Sequence, residues 1–182
     1  MSRHFLYFAY GSNMHPLRLA ERTPSCEPLG VARLDRHVLR FHKRSRVAGD
    51  LSGKCNVLAT GRPGDVVHGV VYRIREVERA ALDEAEGAGR GYDAVTVRVS
   101  IGPSRIEAWS YRAHADWVDD GLRPYDWYLA LVAGGADYHG LPALWRESLR
   151  KTATATDPDR RRAARWLALA ACAPEESPDD SG

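Results

Sequence analysis

Residues 66–74 restrict the fold more than any other part of the chain, because they are apolar along nearly their whole length. Their sequence is VVHGVVYRI, which puts apolar side chains on both of the alternating faces of an extended segment. A strand with one face in water alternates apolar and polar residues, whereas a strand covered on both sides is a nearly continuous apolar run. The segment therefore predicts a strand that is buried on both faces.

Other segments carry the residue patterns of strands or of helices. The strand candidates are residues 4–10, 28–42 (one or two strands), 57–59, 66–74, 92–101 and 106–111. The helix candidates are a short segment after Pro16 and residues 76–86, 125–133, 142–149 and 157–172. Because the strands come mostly first and the helices mostly late, the order predicts an α+β fold with a mixed or antiparallel sheet.

The composition is that of one ordinary globular domain. The chain has 182 residues, of which 44% are hydrophobic and 27% charged, so a sizeable core needs no disulfides or metals. We predict a single domain over residues 1–173 and a flexible acidic tail over residues 174–182. A net charge of +2 gives no general reason to bind nucleic acid or membranes. Three widely spaced cysteines and the lack of a signal segment predict a cytoplasmic protein.

The first candidate site is the end of the first strand, Tyr7-Phe8-Ala9-Tyr10-Gly11-Ser12-Asn13. A glycine directly after a buried strand lets the backbone approach a ligand closely. Successive N–H groups in such a turn form a concave site for an anion. The alternative is a plain strand-to-helix turn in which Asn13 is an N-cap.

The second candidate is Glu86, at the end of the predicted helix 76–86, which Gly87 terminates. Val77, Leu82 and Ala85 define the apolar face, and Glu86 shares that face because it follows Leu82 by four residues. Glu84 points to the opposite side, into solvent. A carboxyl group held on an apolar face is suited to general acid and base catalysis. The alternative is a half-exposed glutamate at a helix end.

The sequence lacks the motifs of several other kinds of chemistry. The seven histidines are scattered without metal-binding spacing, so we predict no metal site. Nucleotide-binding glycine motifs and a nucleophilic serine or cysteine in a known context are also missing. The basic segment 33–46 is either a charged strand face or a phosphate-gripping surface, and the modest net charge favours the first.

Taken together, the turn at residues 7–13, the segment Leu82-Asp83-Glu84-Ala85-Glu86-Gly87 and Tyr92 resemble the γ-glutamylcyclotransferase (AIG2-like) family. The resemblance covers about residues 5–150. It implies a small barrel-like mixed sheet with surrounding helices, and release of 5-oxoproline from γ-glutamyl compounds without a cofactor. It also implies that Glu86 is the general acid/base, that Tyr7 to Ser12 cradle the substrate with Asn13 beside them, and that Tyr128 closes the pocket.

The resemblance leaves the substrate open. The expected partner is a small γ-glutamyl amino acid or amide, and a homodimer is compatible with the family. One alternative is a pathway enzyme that removes a γ-glutamyl group from a carrier-bound intermediate, with the basic segment 33–46 as its docking face. Another is a non-catalytic relative that binds a small molecule, against which the presence of Glu86 argues. Arg90 and the last helix receive no role.

Overall fold

The computed structural model describes residues 3–172, so the predicted tail at 174–182 lies outside the described residues. The predicted α+β fold is confirmed. The strands are β1 (His4–Ala9), β2 (Glu27–Asp35), β3 (His37–Arg44), β4 (Gly53–Ala59), β5 (Val66–Arg75), β6 (Tyr92–Ile101) and β7 (Ser104–Ala113). The helices are α1 (Pro16–Ala20), α2 (Arg79–Glu86), α3 (Asp126–Tyr138), α4 (Ala143–Arg150) and α5 (Arg160–Ala171). No helix within residues 3–172 is long and apolar enough to cross a membrane.

Five strands close into a barrel in the order β1–β5–β2–β6–β7. The hydrogen-bonded pairs around it are antiparallel, apart from β1 and β7, which run parallel where Tyr7 faces Trp109 and so close the barrel. β5 lies between β1 and β2, and it is buried on both faces as predicted. Its fully buried side chains are Val67, Val70, Val71, Tyr72 and Ile74.

The strands β3 and β4 form a separate two-stranded sheet that packs against the barrel. The Ala113 N–H at the end of β7 donates to Asn56 Oδ1 of β4 over 2.8 Å. Cys55 and Val57 of β4 join the hydrophobic core. This packing brings β4 beside the end of β1, where the first candidate site begins.

Helix α3 is longer than its predicted range of 125–133, because two glycines that resemble a helix end lie inside it. A Cβ on Gly135 would come within 2.5 Å of the His15 nitrogen. The glycine therefore lets α3 pack directly on the chain that follows β1. Helix α5 covers the other side of α3, where the Trp166 and Trp127 rings stack with centroids 5.9 Å apart.

Candidate active site

A small pocket opens where β1 ends, beside the end of α2. Its lining includes five tyrosines, so we call it the tyrosine pocket. The lining residues are Tyr7, Tyr10, Gly11, Ser12, Asn13, Cys55, Glu86, Tyr92, Tyr111 and Tyr128. The structure therefore brings the two sequence candidates and Tyr128 together, although they come from three distant parts of the chain.

Helix α2 places Glu86 at the pocket. Glu86 is its last residue, and Gly87 ends the helix in the left-handed conformation, at φ 74°. The Glu86 side chain is 17% exposed and that of Glu84 is 72% exposed, as the helical spacing predicts. The exposed side chain of Glu84 pairs with Arg90, which gives Arg90 a surface role.

One oxygen of Glu86 is held by two donors. The Asn13 Nδ2 group donates to Oε1 over 2.9 Å, and Arg22 Nη1 forms an ion pair with the same oxygen. Arg22 Nη1 also donates to Asn13 Oδ1 over 2.8 Å, and Asn13 Nδ2 donates to the Tyr7 hydroxyl over 3.0 Å. Among residues 3–172, no group donates to Glu86 Oε2. The carboxyl group is thus fixed through one oxygen and open to a ligand through the other.

The turn after β1 has backbone donors to offer. Over the described residues, the N–H groups of Gly11, Ser12 and Asn13 donate to no protein acceptor. The Asn13 side chain does not cap a helix, because it is committed to Glu86, Arg22 and Tyr7. The alternative interpretation of Asn13 as an N-cap is therefore wrong.

Two residues of the predicted substrate-cradling segment do not reach the pocket. Phe8 and Ala9 are fully buried in the hydrophobic core, and neither lines the tyrosine pocket. The Phe8 ring packs beside Gly69 of β5, away from the pocket lining. We therefore leave Phe8 and Ala9 out of the candidate site.

Tyr128 and Cys55 form the wall opposite the turn. The Cys55 N–H donates to the Tyr128 hydroxyl over 3.1 Å. A Cβ on Gly11 would lie 3.0 Å from the Cys55 Cβ and 3.4 Å from the Tyr128 hydroxyl, so the two sides of the pocket touch at the glycine. Burial raises the pKa of the Cys55 thiol to about 12, which keeps it protonated and unreactive at neutral pH.

A second pocket adjoins the first and shares Ser12, Glu86, Tyr92 and Tyr128 with it. Its cavity volume is about 130 Å³, against about 30 Å³ for the tyrosine pocket. We call it the basic pocket because its lining also includes Arg18, Arg22, Lys43, Arg46 and Lys54. Sequence analysis missed Arg18, Arg22 and Lys54, and it treated Lys43 and Arg46 only as part of the basic segment.

Side chains of the types that bind metals are dispersed in the part of the chain that the structure describes. Within residues 3–172, no three His, Cys, Asp or Glu side chains lie close enough together to hold a metal ion. The predicted lack of a metal and of any cofactor stays a prediction.

The fold is shared with a solved structure. The chain superimposes on a structure titled "Gamma-glutamyl cyclotransferase" with a TM-score of 0.81 and 27% sequence identity, covering 91% of this chain and 99% of the other. The chain matches the family described as "Gamma-glutamyl cyclotransferase, AIG2-like" over residues 7–129. It therefore belongs to that family, as the sequence motifs predicted.

Two curated relatives agree with this assignment. The mouse and human proteins named "Gamma-glutamylcyclotransferase" are each 31% identical to this chain over 153 residues. Each alignment covers 80% of this chain and 77% of the relative. The family is thus that of an enzyme, and the tyrosine pocket is the candidate for its active site.

Proposed function

We propose that this protein releases 5-oxoproline from γ-glutamyl amino acids or related γ-glutamyl amides, with Glu86 as the general acid and base. The observation that carries the proposal is the state of the Glu86 carboxyl group. It is oriented through Oε1 by Asn13 and Arg22, while Oε2 is left open at the junction of the two pockets.

The reaction suits such a site because the substrate carries its own nucleophile. The α-amine of the γ-glutamyl group attacks the γ-carbonyl carbon and closes a five-membered ring, and the amide bond to the leaving amine then breaks. Holding the amine and the carbonyl together supplies much of the rate enhancement. No protein nucleophile is needed, which agrees with the protonated state of the buried Cys55 thiol.

Proton transfer is the task of Glu86. The attacking α-amine loses a proton as the ring closes, and the leaving nitrogen gains one as the amide bond breaks. A single carboxyl group at the junction of the pockets is able to take the first proton and return it to the leaving nitrogen. The leaving amine and 5-oxoproline then separate with no net gain or loss of protons by the enzyme.

The turn after β1 supplies hydrogen-bond donors for the negatively charged groups of the reaction. The free N–H groups of Gly11, Ser12 and Asn13 are suited to an anion, either the developing oxyanion or the α-carboxylate of the substrate. Burial raises the pKa of Tyr7, so its hydroxyl keeps its proton and acts as a donor in the pocket.

The test is direct detection of 5-oxoproline by mass spectrometry. Purified protein is incubated with γ-glutamyl-alanine, glutathione, γ-glutamyl-ε-lysine and a γ-glutamyl thioester mimic of a carrier-bound substrate. We expect catalytic turnover of at least one of them. No 5-oxoproline from any substrate, with protein whose folding is verified, would contradict the proposal.

A further inference from the structure

We infer that the basic pocket binds the leaving part of the substrate and selects leaving groups that are acidic amino acids, with a carboxylate beyond the α-carboxylate. The inference rests on the proposed function, because it assigns the leaving group of that reaction. It is carried by the charge balance of the pocket and by two buried cations that the described chain leaves without an anionic partner.

The charge balance of the basic pocket is strongly positive. Two of its five cations have carboxylate partners, since Arg22 pairs with Glu86 and Lys54 pairs with Asp50 over 2.8 Å. The other three, Arg18, Lys43 and Arg46, form no ion pair with any carboxylate in residues 3–172. A leaving amino acid that carries only its α-carboxylate would therefore neutralise one of these three positive charges. A second carboxylate on the leaving amino acid would neutralise another.

Arg18 is nine-tenths buried, with 8% of its surface exposed, and lines this pocket. Its Nε group donates to Ser12 Oγ over 3.0 Å, and its guanidinium lies 4.2 Å from the centre of the Trp166 ring. Its Nη1 group is buried and has no hydrogen-bond partner. A buried guanidinium donor without a partner is costly, so it points to a ligand that supplies the acceptor.

Lys43 is even more enclosed, with 2% of its surface exposed. Its ammonium lies 4.5 Å from the centre of the Tyr92 ring and 5.2 Å from that of Trp117. Throughout the described part of the chain, it donates no hydrogen bond to a protein acceptor. The rings provide partial compensation through cation–π contact, but an ammonium at a pocket wall retains its capacity to bind a carboxylate.

The position of Glu86 assigns the two pockets to the two ends of the scissile bond. Glu86 lines both pockets, and its proposed task requires contact with the α-amine on one side and the leaving nitrogen on the other. The smaller tyrosine pocket, with its free backbone donors, suits the γ-glutamyl group that all substrates share. The larger basic pocket then receives the variable leaving group.

The test compares substrates that differ only in one charge. We would measure kcat/KM for γ-glutamyl-aspartate and γ-glutamyl-asparagine, which are nearly isosteric, and repeat the comparison with γ-glutamyl-glutamate and γ-glutamyl-glutamine. Because a charge-assisted hydrogen bond is typically worth about tenfold or more, we expect the wild-type protein to prefer each acidic substrate by at least about tenfold.

The variant is Lys43→Met, because the Lys43 side chain forms no hydrogen bond or ion pair with another site residue in residues 3–172 and contacts Tyr92 only through its ring. We expect its aspartate-to-asparagine ratio of kcat/KM to fall to within about threefold of one, which is the loss of one charge-assisted contact. Lys151→Met is the matched control, since it makes the same change at an exposed residue of α4's end, paired with Glu147. It should keep the wild-type ratio.

Three outcomes separate the inference from the proposed function. If the wild-type protein releases 5-oxoproline from neutral and acidic substrates equally well, the function stands and the inference is wrong. If Lys43→Met lowers kcat/KM for all substrates by one factor and leaves their ratio intact, the pocket binds the shared γ-glutamyl carboxylate and the inference is again wrong. If no γ-glutamyl substrate is turned over by folded protein, the proposed function itself fails.

Discussion

The two oxygens of Glu86 have different tasks, and a single substitution separates them. In Glu86→Gln, the side-chain oxygen still accepts from Asn13 and Arg22, so we expect the variant to fold. An amide is unable to take and return a proton, so we expect kcat to fall by about 10²–10⁴-fold. The measurement is 5-oxoproline release, with circular dichroism to verify folding.

The chain offers a matched control two residues earlier on the same helix. Glu84→Gln makes the same chemical change at a side chain that is 72% exposed and paired with Arg90. Because an exposed ion pair contributes little to stability, we expect wild-type turnover from this variant. Near-wild-type turnover by a folded Glu86→Gln protein would exclude Glu86 as the general acid/base.

Gly11 has both a packing role and a binding role in the structure. A valine there would press on Cys55 and the Tyr128 hydroxyl, both of which lie at close range, and would fill part of the tyrosine pocket. We expect Gly11→Val to raise KM at least about tenfold and to lower the free energy of unfolding by about 1–3 kcal/mol, as overpacked sites do. Steady-state kinetics and urea denaturation measure the two effects. An unchanged KM with the same loss of stability would leave Gly11 a packing role only.

Residues of the site differ in how far the sequence reveals them. Glu86 follows from helical spacing and a glycine stop, and Gly11 follows from its place after a buried strand. Arg22 and Cys55 carry no such signal, because a cation after a short helix and a cysteine in a strand are common features of any chain. They reach Glu86 and Gly11 only through the tertiary packing of α1 and β4.

At the scale of elements, the boundary between β5 and α2 shows that a short irregular turn changes which residues face the core. Helical spacing over residues 76–86 predicts that Val77 is on the core side with Leu82. The structure has a 3-10 turn over Glu76–Glu78 before α2 begins. Because this turn is wound more tightly than an α-helix, the residues in it point in different directions from those that α-helical spacing predicts. Val77 is consequently 82% exposed, whereas Leu82 is fully buried.

Asp157, just before α5, adds a polar link between this last helix and α3. Its carboxylate accepts from Arg162 Nε and Nη2, both over 2.6 Å, and from Trp127 Nε1 over 2.7 Å. Hydrogen bonding from Arg162 lowers the pKa of Asp157 from 3.8 to about 2. The unfolded chain therefore binds more protons in this interval, so the stabilisation is complete above pH 3.8 and is lost as the pH falls to about 2.

We therefore predict that Asp157→Asn lowers the free energy of unfolding at pH 7 by about 1–2 kcal/mol, after allowance for solvent screening of the pair. The difference from the wild-type protein should shrink as the pH falls below 3.8. Urea denaturation at pH 7 and at low pH measures it. Asp159→Asn is the control, because asparagine caps a helix about as well as aspartate. An equal loss from both variants would contradict this role for Asp157.

At the scale of the whole molecule, the barrel joins segments that are far apart in sequence. The strands and the α+β class follow from local patterns, and the family resemblance adds the barrel. The parallel contact between β1 and β7 at Tyr7 and Trp109 has no signature in the sequence, because it depends on how the other strands pair. The basic pocket is equally hidden, since its cations come from α1, β3, β4 and the loops beside them.

The basic pocket also has a consequence for the stability of the whole protein. Burial lowers the pKa of Lys43 from 10.5 to about 8. The surrounding charged groups are Glu86, Arg46, Lys54 and Asp50. Between pH 8 and pH 10.5 the unfolded chain binds more protons than the folded chain does, so this residue makes stability rise with pH in that interval. Below pH 8 the buried ammonium destabilises the fold by a constant amount.

We therefore expect Lys43→Met to stabilise the protein while it weakens the recognition of acidic substrates. At pH 7 the free energy of unfolding should rise by about 1–2 kcal/mol, less than the full pKa change implies because the Tyr92 and Trp117 rings partly compensate for burial of the ammonium. The gain should disappear as the pH rises past 10.5, where the lysine loses its proton in the unfolded chain as well. Urea denaturation at pH 7 and above pH 10.5 measures it, with Lys151→Met as the control. An equal gain at both pH values would mean that packing and not charge is responsible, whereas a gain confined to pH 7 would show that the charge of the buried lysine destabilises the fold.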